Sequence, residues 1–263
     1  MCELLGISVS PAATMGVYFK ELRPHADRNP SGWGVGWYED RAAHVVKEPV
    51  RADESEQCSL LLAHPPTSGV FVIHVRAATV GRLTMENTHP FQARALDRDW
   101  LFAHNGTIRN LERLPVGSFR QEGETDSEVA FHSLLTRLEK LGPQASDEGV
   151  AAEVLEGARE LSADGTCNFL LSDGRMLFAS YDGHKKMTFL SRRAEELGTV
   201  TGQDEDYRFS LAVGDGGDER AVIVASKPLT GEPWHELASG EFLVCRDGLL
   251  LDRVSPGAAV GVR

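Results

Sequence analysis

No stretch of this 263-residue chain approaches the ~20 consecutive apolar residues needed to cross a bilayer, and the opening Met1-Cys2-Glu3-Leu4-Leu5 has no basic region ahead of its short apolar stretch. A cytoplasmic protein without a membrane partner is therefore expected. Cysteine is scarce: Cys2, Cys58, Cys167 and Cys245 stand far apart and form no CxxC pair, so neither a zinc knuckle nor a disulfide framework is indicated. The nine histidines include no HExxH or other metal-ligand spacing, and neither metal nor cofactor is expected. Glycine-rich Gly32-Trp33-Gly34-Val35-Gly36-Trp37 misses the GxGxxG spacing of a dinucleotide site and precedes no evident helix. Basic residues are outnumbered, 27 Lys and Arg against 39 Asp and Glu, and the net charge of −12 repels nucleic acid at long range. What remains as a partner is a small molecule or another protein.

No repeat, low-complexity tract or long Pro/Ser linker divides the chain, so residues 2–263 are expected to form a single domain. A chain of this length, 41% hydrophobic and 25% charged, can bury a sizeable core. Strand signals dominate. Gly69 to Arg76 reads as a buried strand, and Trp100 to His104 as another running into Asn105-Gly106. Asn168–Ser172 and Arg175–Tyr181 flank Asp173-Gly174, and Phe242–Arg246 and Leu249–Val254 flank Asp247-Gly248, as type I′ hairpins would. Two segments have helical periodicity: Phe131, Leu134, Leu135, Leu138 and Leu141 share one face, and Val150, Val154, Leu155, Ala158 and Leu161 another. Thr125 with Glu128 three residues later makes a capping box for the first. The segment from about Glu195 to Asp218 is polar and Gly/Asp-rich and reads largely as loop. Strands, then two helices, then strands again predict an α+β fold of antiparallel sheet packed with helices, not repeated βαβ units.

A small side chain at position 2 permits removal of Met1, leaving a thiol and an α-amine on the same residue. An α-amine titrating near ~8 beside a thiol near ~8.5 can relay the thiol proton close to neutral pH, so Cys2 could be nucleophile and base together; the alternative is a buried structural cysteine. Asn105-Gly106 offers a side-chain amide and an unobstructed backbone N–H to a developing oxyanion, or is a plain turn. Arg76, ending an apolar strand, could pair with a carboxylate or emerge at a sheet edge. Asp126, in the first turn of a helix, could receive an ammonium group or serve the helix dipole. His74, His104 and His132 fall on elements where a core histidine is the usual outcome. Asn87-Thr88-His89-Pro90-Phe91 reads as a turn before a strand, able to line a pocket.

Taken in order, these blocks resemble the class II glutamine amidotransferases, members of the N-terminal nucleophile hydrolase superfamily, and in particular their stand-alone YafJ-like group. The likeness is carried by Met1-Cys2-Glu3-Leu4-Leu5-Gly6, Ser31 to Tyr38, His74-Val75-Arg76-Ala77-Ala78-Thr79-Val80-Gly81, Asn87 to Phe91, Phe102 to Ile108 and Gly123 to Glu128, with Asn168 to Gly174 a weaker extension. The resemblance implies a four-layer αββα sandwich. It implies Cys2 as nucleophile with its own α-amine as base, Asn105 and Gly106 as oxyanion hole, Arg76 on the substrate α-carboxylate, Asp126 on its α-amino group, and Thr79 and His89 lining the pocket. The implied substrate is glutamine, cleaved to glutamate and ammonia, with a separate synthase subunit as the expected ammonia acceptor. Ala77 and Val80 stand where synthase-linked members carry tryptophan and histidine. A larger γ-glutamyl conjugate, as in the related hydrolases of ergothioneine synthesis, is thus an alternative substrate, and a non-catalytic synthase subunit a third reading.

Overall fold

The computed structural model describes residues 2–19, 32–75, 82–193, 199–203, 207–212 and 218–261. Side-chain alternation along a few long strands determines the layering. In β4 (Thr67–Val75), Val70 and Val72 point one way while Phe71, Ile73 and Val75 point the other, so a near-continuous apolar run is buried on both faces. The same division holds in β6 (Arg98–Ile108): Leu101 and Ala103 join Val70 and Val72, whereas Trp100 and Phe102 meet a helical layer.

Two antiparallel sheets result. The first is nine-stranded, in the order β13 (His235–Glu236), β9 (Thr188–Arg193), β12 (Arg220–Ala225), β1 (Glu3–Phe19), β4, β2 (Trp33–Glu39), β3 (Ala42–Glu48). The far half of β1, from Thr14 to Phe19, also carries β11 (Tyr207–Ala212), on which β10 (Thr199–Gln203) pairs. The second is six-stranded, in the order β15 (Leu249–Val254), β14 (Phe242–Arg246), β8 (Met176–Ser180), β7 (Gly165–Ser172), β6, β5 (Phe91–Ala95). Between the sheets lies an apolar core of Leu4, Val72, Leu101, Leu170, Leu177 and Val224 among others. Tyr38 reinforces the contact, its buried hydroxyl donating across to Ser172 O at 2.7 Å.

Helices α2 (Asp126–Glu139) and α3 (Asp147–Ala163) cover the outer face of the second sheet through Phe131, Leu134, Leu135, Val154 and Leu155. The short α1 (Glu56–Ala63) covers part of the first, placing Cys58 and Leu61 against Ile7, Phe71 and Ile73. The order helix, sheet, sheet, helix is the αββα sandwich expected. No helix among the described residues is long and apolar enough to cross a membrane.

Several local expectations are revised. Asn105-Gly106 is not a turn: β6 continues through both residues to Ile108, in register with β7. Of the two Asp-Gly hairpins, Asp247-Gly248 forms the two-residue loop, with φ of 50° and 71° between the paired Arg246 and Leu249. Asp173-Gly174 does not. There the last pair is Ser172 with Leu177, and Asp173 Oδ1 closes a longer turn by accepting from Arg175 N (3.0 Å) and Met176 N (2.8 Å). Half of the capping box forms: Thr125 Oγ1 accepts from Glu128 N at 3.3 Å, but the Glu128 carboxylate turns to Glu122 N (2.7 Å) and Gly123 N (2.8 Å). Leu141 lies beyond the end of α2 and is exposed. The polar segment read as loop contains β10 and β11, and α1 had no clear signal in the sequence.

Candidate active site

At one end of the sandwich the inter-sheet face gives way to polar groups. On β6 it runs Leu101, Ala103, Asn105, and on β7 Leu170 leads to Asn168, directly across from Asn105. On the opposing sheet the same alternation runs back from Gly6, against Leu170, through Leu4 to Cys2. The two ends meet: Asn105 Nδ2 donates to Cys2 O at 2.8 Å, although 103 residues separate them in the chain. Asn105 is only 4% exposed, and its Oδ1 accepts from Lys185 Nζ at 2.5 Å. A carboxamide carries two N–H donors, so the bond to Cys2 O uses one of them.

Gly106 is required where it stands. A Cβ there would lie 1.9 Å from Thr166 O on β7 and 2.6 Å from His104 Nε2. The neighbouring Thr107 N donates to the Thr166 hydroxyl at 2.9 Å. Asp126 is tied to the same strand, accepting from Ile108 N at 2.7 Å through Oδ2 and from Ser127 N at 3.0 Å through Oδ1. Its carboxylate thus sits at the N-terminus of α2, three residues along β6 from Asn105.

His104 faces the helical side of β6. Nε2 lies 3.2 Å from Thr166 O, which can only accept, so Nε2 carries the proton and Nδ1 accepts from Ser127 Oγ at 2.9 Å. Burial pushes its pKa below the usual imidazole range, against the opposing pull of Asp126 and the Thr166 carbonyl. It is a neutral structural group beneath the site.

The four thiols are not equivalent. Cys58, Cys167 and Cys245 are buried, and burial raises their pKa values, to about 12 for Cys58 and Cys245. Cys2 alone of the four is partly exposed.

The other expected residues are less informative. Arg76 and Thr79 lie outside the described residues; Val75, the last of β4, pairs with Glu3. His89 is 5% exposed, its ring 4.4 Å from that of His74 and 4.6 Å from Phe91. Lys47 Nζ holds this turn from below, donating to Thr88 O at 2.6 Å, and burial lowers its pKa to about 8. Asn168, Asp182 and Lys185 were not singled out from the sequence for any role at the site. Nothing local to a polar Asp-Gly-His-Lys turn links it to a residue 80 positions earlier. The described clefts of about 440 and 280 Å³ lie at the β5–β6 turn and beside α2, and include neither Cys2 nor Asn105. Among the described residues no cluster of His, Cys, Asp and Glu could hold a metal ion.

The family model of the class II glutamine amidotransferases matches residues 1–259, and the chain belongs to that family. It is 34% identical over 254 residues to YafJ of Escherichia coli, described provisionally as a glutamine amidotransferase, covering 92% of this chain and 96% of that protein. A crystal structure of a Pseudomonas aeruginosa protein, described as a glutamine amidotransferase by prediction, superposes with a TM-score of 0.80 at 30% identity, covering 95% and 99% of the two chains. Glutamine phosphoribosylpyrophosphate amidotransferase from Bacillus subtilis shares the fold, with a TM-score of 0.57 at 18% identity over 93% of this chain and 47% of its own.

Proposed function

We propose that this protein hydrolyses the γ-amide of glutamine, releasing glutamate and ammonia. Once Met1 is removed, the α-amine of Cys2 takes the thiol proton and the thiolate attacks the γ-carbonyl. The second N–H of Asn105 Nδ2 and the backbone N–H of Gly106 receive the developing oxyanion. Collapse of the tetrahedral intermediate breaks the C–N bond, with the proton passing from the α-ammonium to the departing nitrogen. Water, deprotonated by the same amine, then cleaves the γ-glutamyl thioester. Arg76 takes the substrate α-carboxylate and Asp126, whose oxygens retain lone pairs beyond their two backbone bonds, takes its α-ammonium. Thr79 and His89 line the pocket, and a separate synthase subunit would use the ammonia.

The observation that supports this reading is the 2.8 Å bond from Asn105 Nδ2 to the backbone carbonyl of Cys2, the residue that carries the partly exposed thiol. The test is ammonia release by Met1-processed protein, verified by intact mass, from glutamine and from a panel of larger γ-glutamyl amides. Turnover of glutamine is expected, with Cys2→Ala inactive and Asn105→Ala slower by ~100-fold in kcat. Preference for a bulky γ-glutamyl conjugate by kcat/KM would reassign the substrate. No turnover on any member of the panel would remove the hydrolase reading.

A further inference from the structure

Lys185 is an exposed residue in the turn between β8 and β9, yet its ammonium lies 2.5 Å from Oδ1 of the buried Asn105. The turn that delivers it is anchored on several sides. Asp182 N donates to Asn168 Oδ1 at 3.0 Å, and Asn168 Nδ2 returns a bond to His184 O. The Asp182 carboxylate accepts from Cys167 N and from His184 N, the latter at 2.6 Å. Tyr181 donates its hydroxyl to Lys185 O at 2.6 Å, and Ser239 donates to Asp182 O at 2.8 Å. Gly183, φ 100°, admits no side chain, because a Cβ would lie 2.2 Å from Ser239 Oγ. Lys185 itself has a left-handed backbone, φ 66°, within this frame. Asn168, the cross-strand neighbour of Asn105, therefore holds the turn that brings the cation to Asn105.

We infer that Lys185 is a positioning residue for the oxyanion hole, acting through Asn105. An ammonium can only donate, so it fixes which end of the carboxamide faces it and leaves Nδ2 turned toward Cys2. A charge-assisted bond to Oδ1 also withdraws electron density from the amide and strengthens Nδ2–H as a donor. In an amide hydrolysis this help is worth most when negative charge has developed on the substrate oxygen, so it belongs to the transition state more than to substrate binding. The inference rests on the role given to Asn105 above.

The experiment compares Lys185→Met, Lys185→Arg and, as a neighbouring surface control, Lys186→Met, in the wild-type and Asn105→Ala backgrounds, with kcat and KM measured on the best γ-glutamyl amide of the panel. Because Asn105 supplies one oxyanion donor and Lys185 supports it from behind, Lys185→Met is expected to lower kcat by about 10-fold with KM within about 2-fold. Lys185→Arg restores most of the rate, Lys186→Met leaves it unchanged, and Lys185→Met has no further effect once Asn105 is alanine. Wild-type kcat in Lys185→Met, or the same loss repeated in the Asn105→Ala background, overturns the role of Lys185 while leaving the hydrolase standing. A wild-type protein inert on the whole panel, with Cys2 still alkylated by iodoacetamide, overturns the hydrolase reading and this inference with it.

Discussion

Position in the fold separates four chemically identical thiols. Three lie in the sandwich with their thiolate forms disfavoured by burial, and Cys2 is partly open to solvent. Iodoacetamide at neutral pH should therefore modify one site rapidly in the native protein, mapped by peptide mass to Cys2, with the other three reacting only after denaturation. Rapid labelling of Cys167 or Cys245 would contradict the packing described. The buried histidines carry a second residue-level consequence. Burial depresses His104 and His132 below the ordinary imidazole value of about 6.5, so below that pH the unfolded chain binds protons that the folded one refuses. The stability they contribute is complete above pH ~6.5 and is lost as pH falls toward their lowered folded values. Urea unfolding at pH 7, 6 and 5 should show the decline, and His104→Gln should flatten its slope; a slope unchanged in that variant would show that His104 is not responsible.

At the level of single elements, the pairing of β6 with β7 is the most constrained feature near the site. Gly106 and Gly165 each face a carbonyl of the opposite strand, Thr166 O and Thr107 O, at distances that no Cβ tolerates. Gly106→Ala must push backbone against backbone, and should cost about 3 kcal/mol or more, read as a drop in the urea midpoint at constant slope. A cost below ~1 kcal/mol would mean the two strands separate more easily than their register suggests. These strands also show what could be read from the sequence and what could not. The continuous apolar runs of β4 and β6 and the periodicity of α2 and α3 are local properties, visible without a structure. Asn105-Gly106 was ambiguous for a physical reason: the dipeptide suits a type I′ turn, and the strand continues here because β7 pairs with it, Asn168 and Cys167 across from Asn105 and Gly106, with the Thr166 hydroxyl taking Thr107 N. Asp173-Gly174 misled in the same way, since the Asp173 side chain, not the strand register, closes that turn. β11 was hidden because Tyr207, Phe209 and Leu211 alternate inside a segment whose overall composition is polar, and its pairing partner is the distant end of β1. Lys185 was out of reach altogether, because its relation to Asn105 exists only once two loops and two strands have been assembled.

Considered as a whole, the molecule has its two central groups on different sheets. Cys2 precedes β1 of the first sheet and Asn105 belongs to β6 of the second, so no single element fixes their separation; the packing between sheets does. Leu170 lies in that core, fully buried, with its methyl carbons 3.1 Å from the position a Cβ would take on Gly6, and it sits two residues from Asn168. Leu155 is equally apolar and 4% exposed, but belongs to the core between α3 and the outer face of the second sheet. Truncating either to alanine should remove about 3 kcal/mol by loss of burial and creation of a cavity. Their effects on catalysis should differ. A cavity at Leu170 lets the sheets shift relative to each other and loosens the contact between Asn105 and Cys2, so kcat should fall several-fold at temperatures where the variant is fully folded. A cavity at Leu155 relaxes the helical layer and leaves the sheets in place, so kcat should stay near that of the wild-type protein. Urea titrations establish the stabilities, and kcat measured well below each midpoint separates the two cores. Equal losses of kcat in both variants would mean that the sandwich transmits strain through all its layers, and that the spacing of the two sheets is not what sets the geometry of the site.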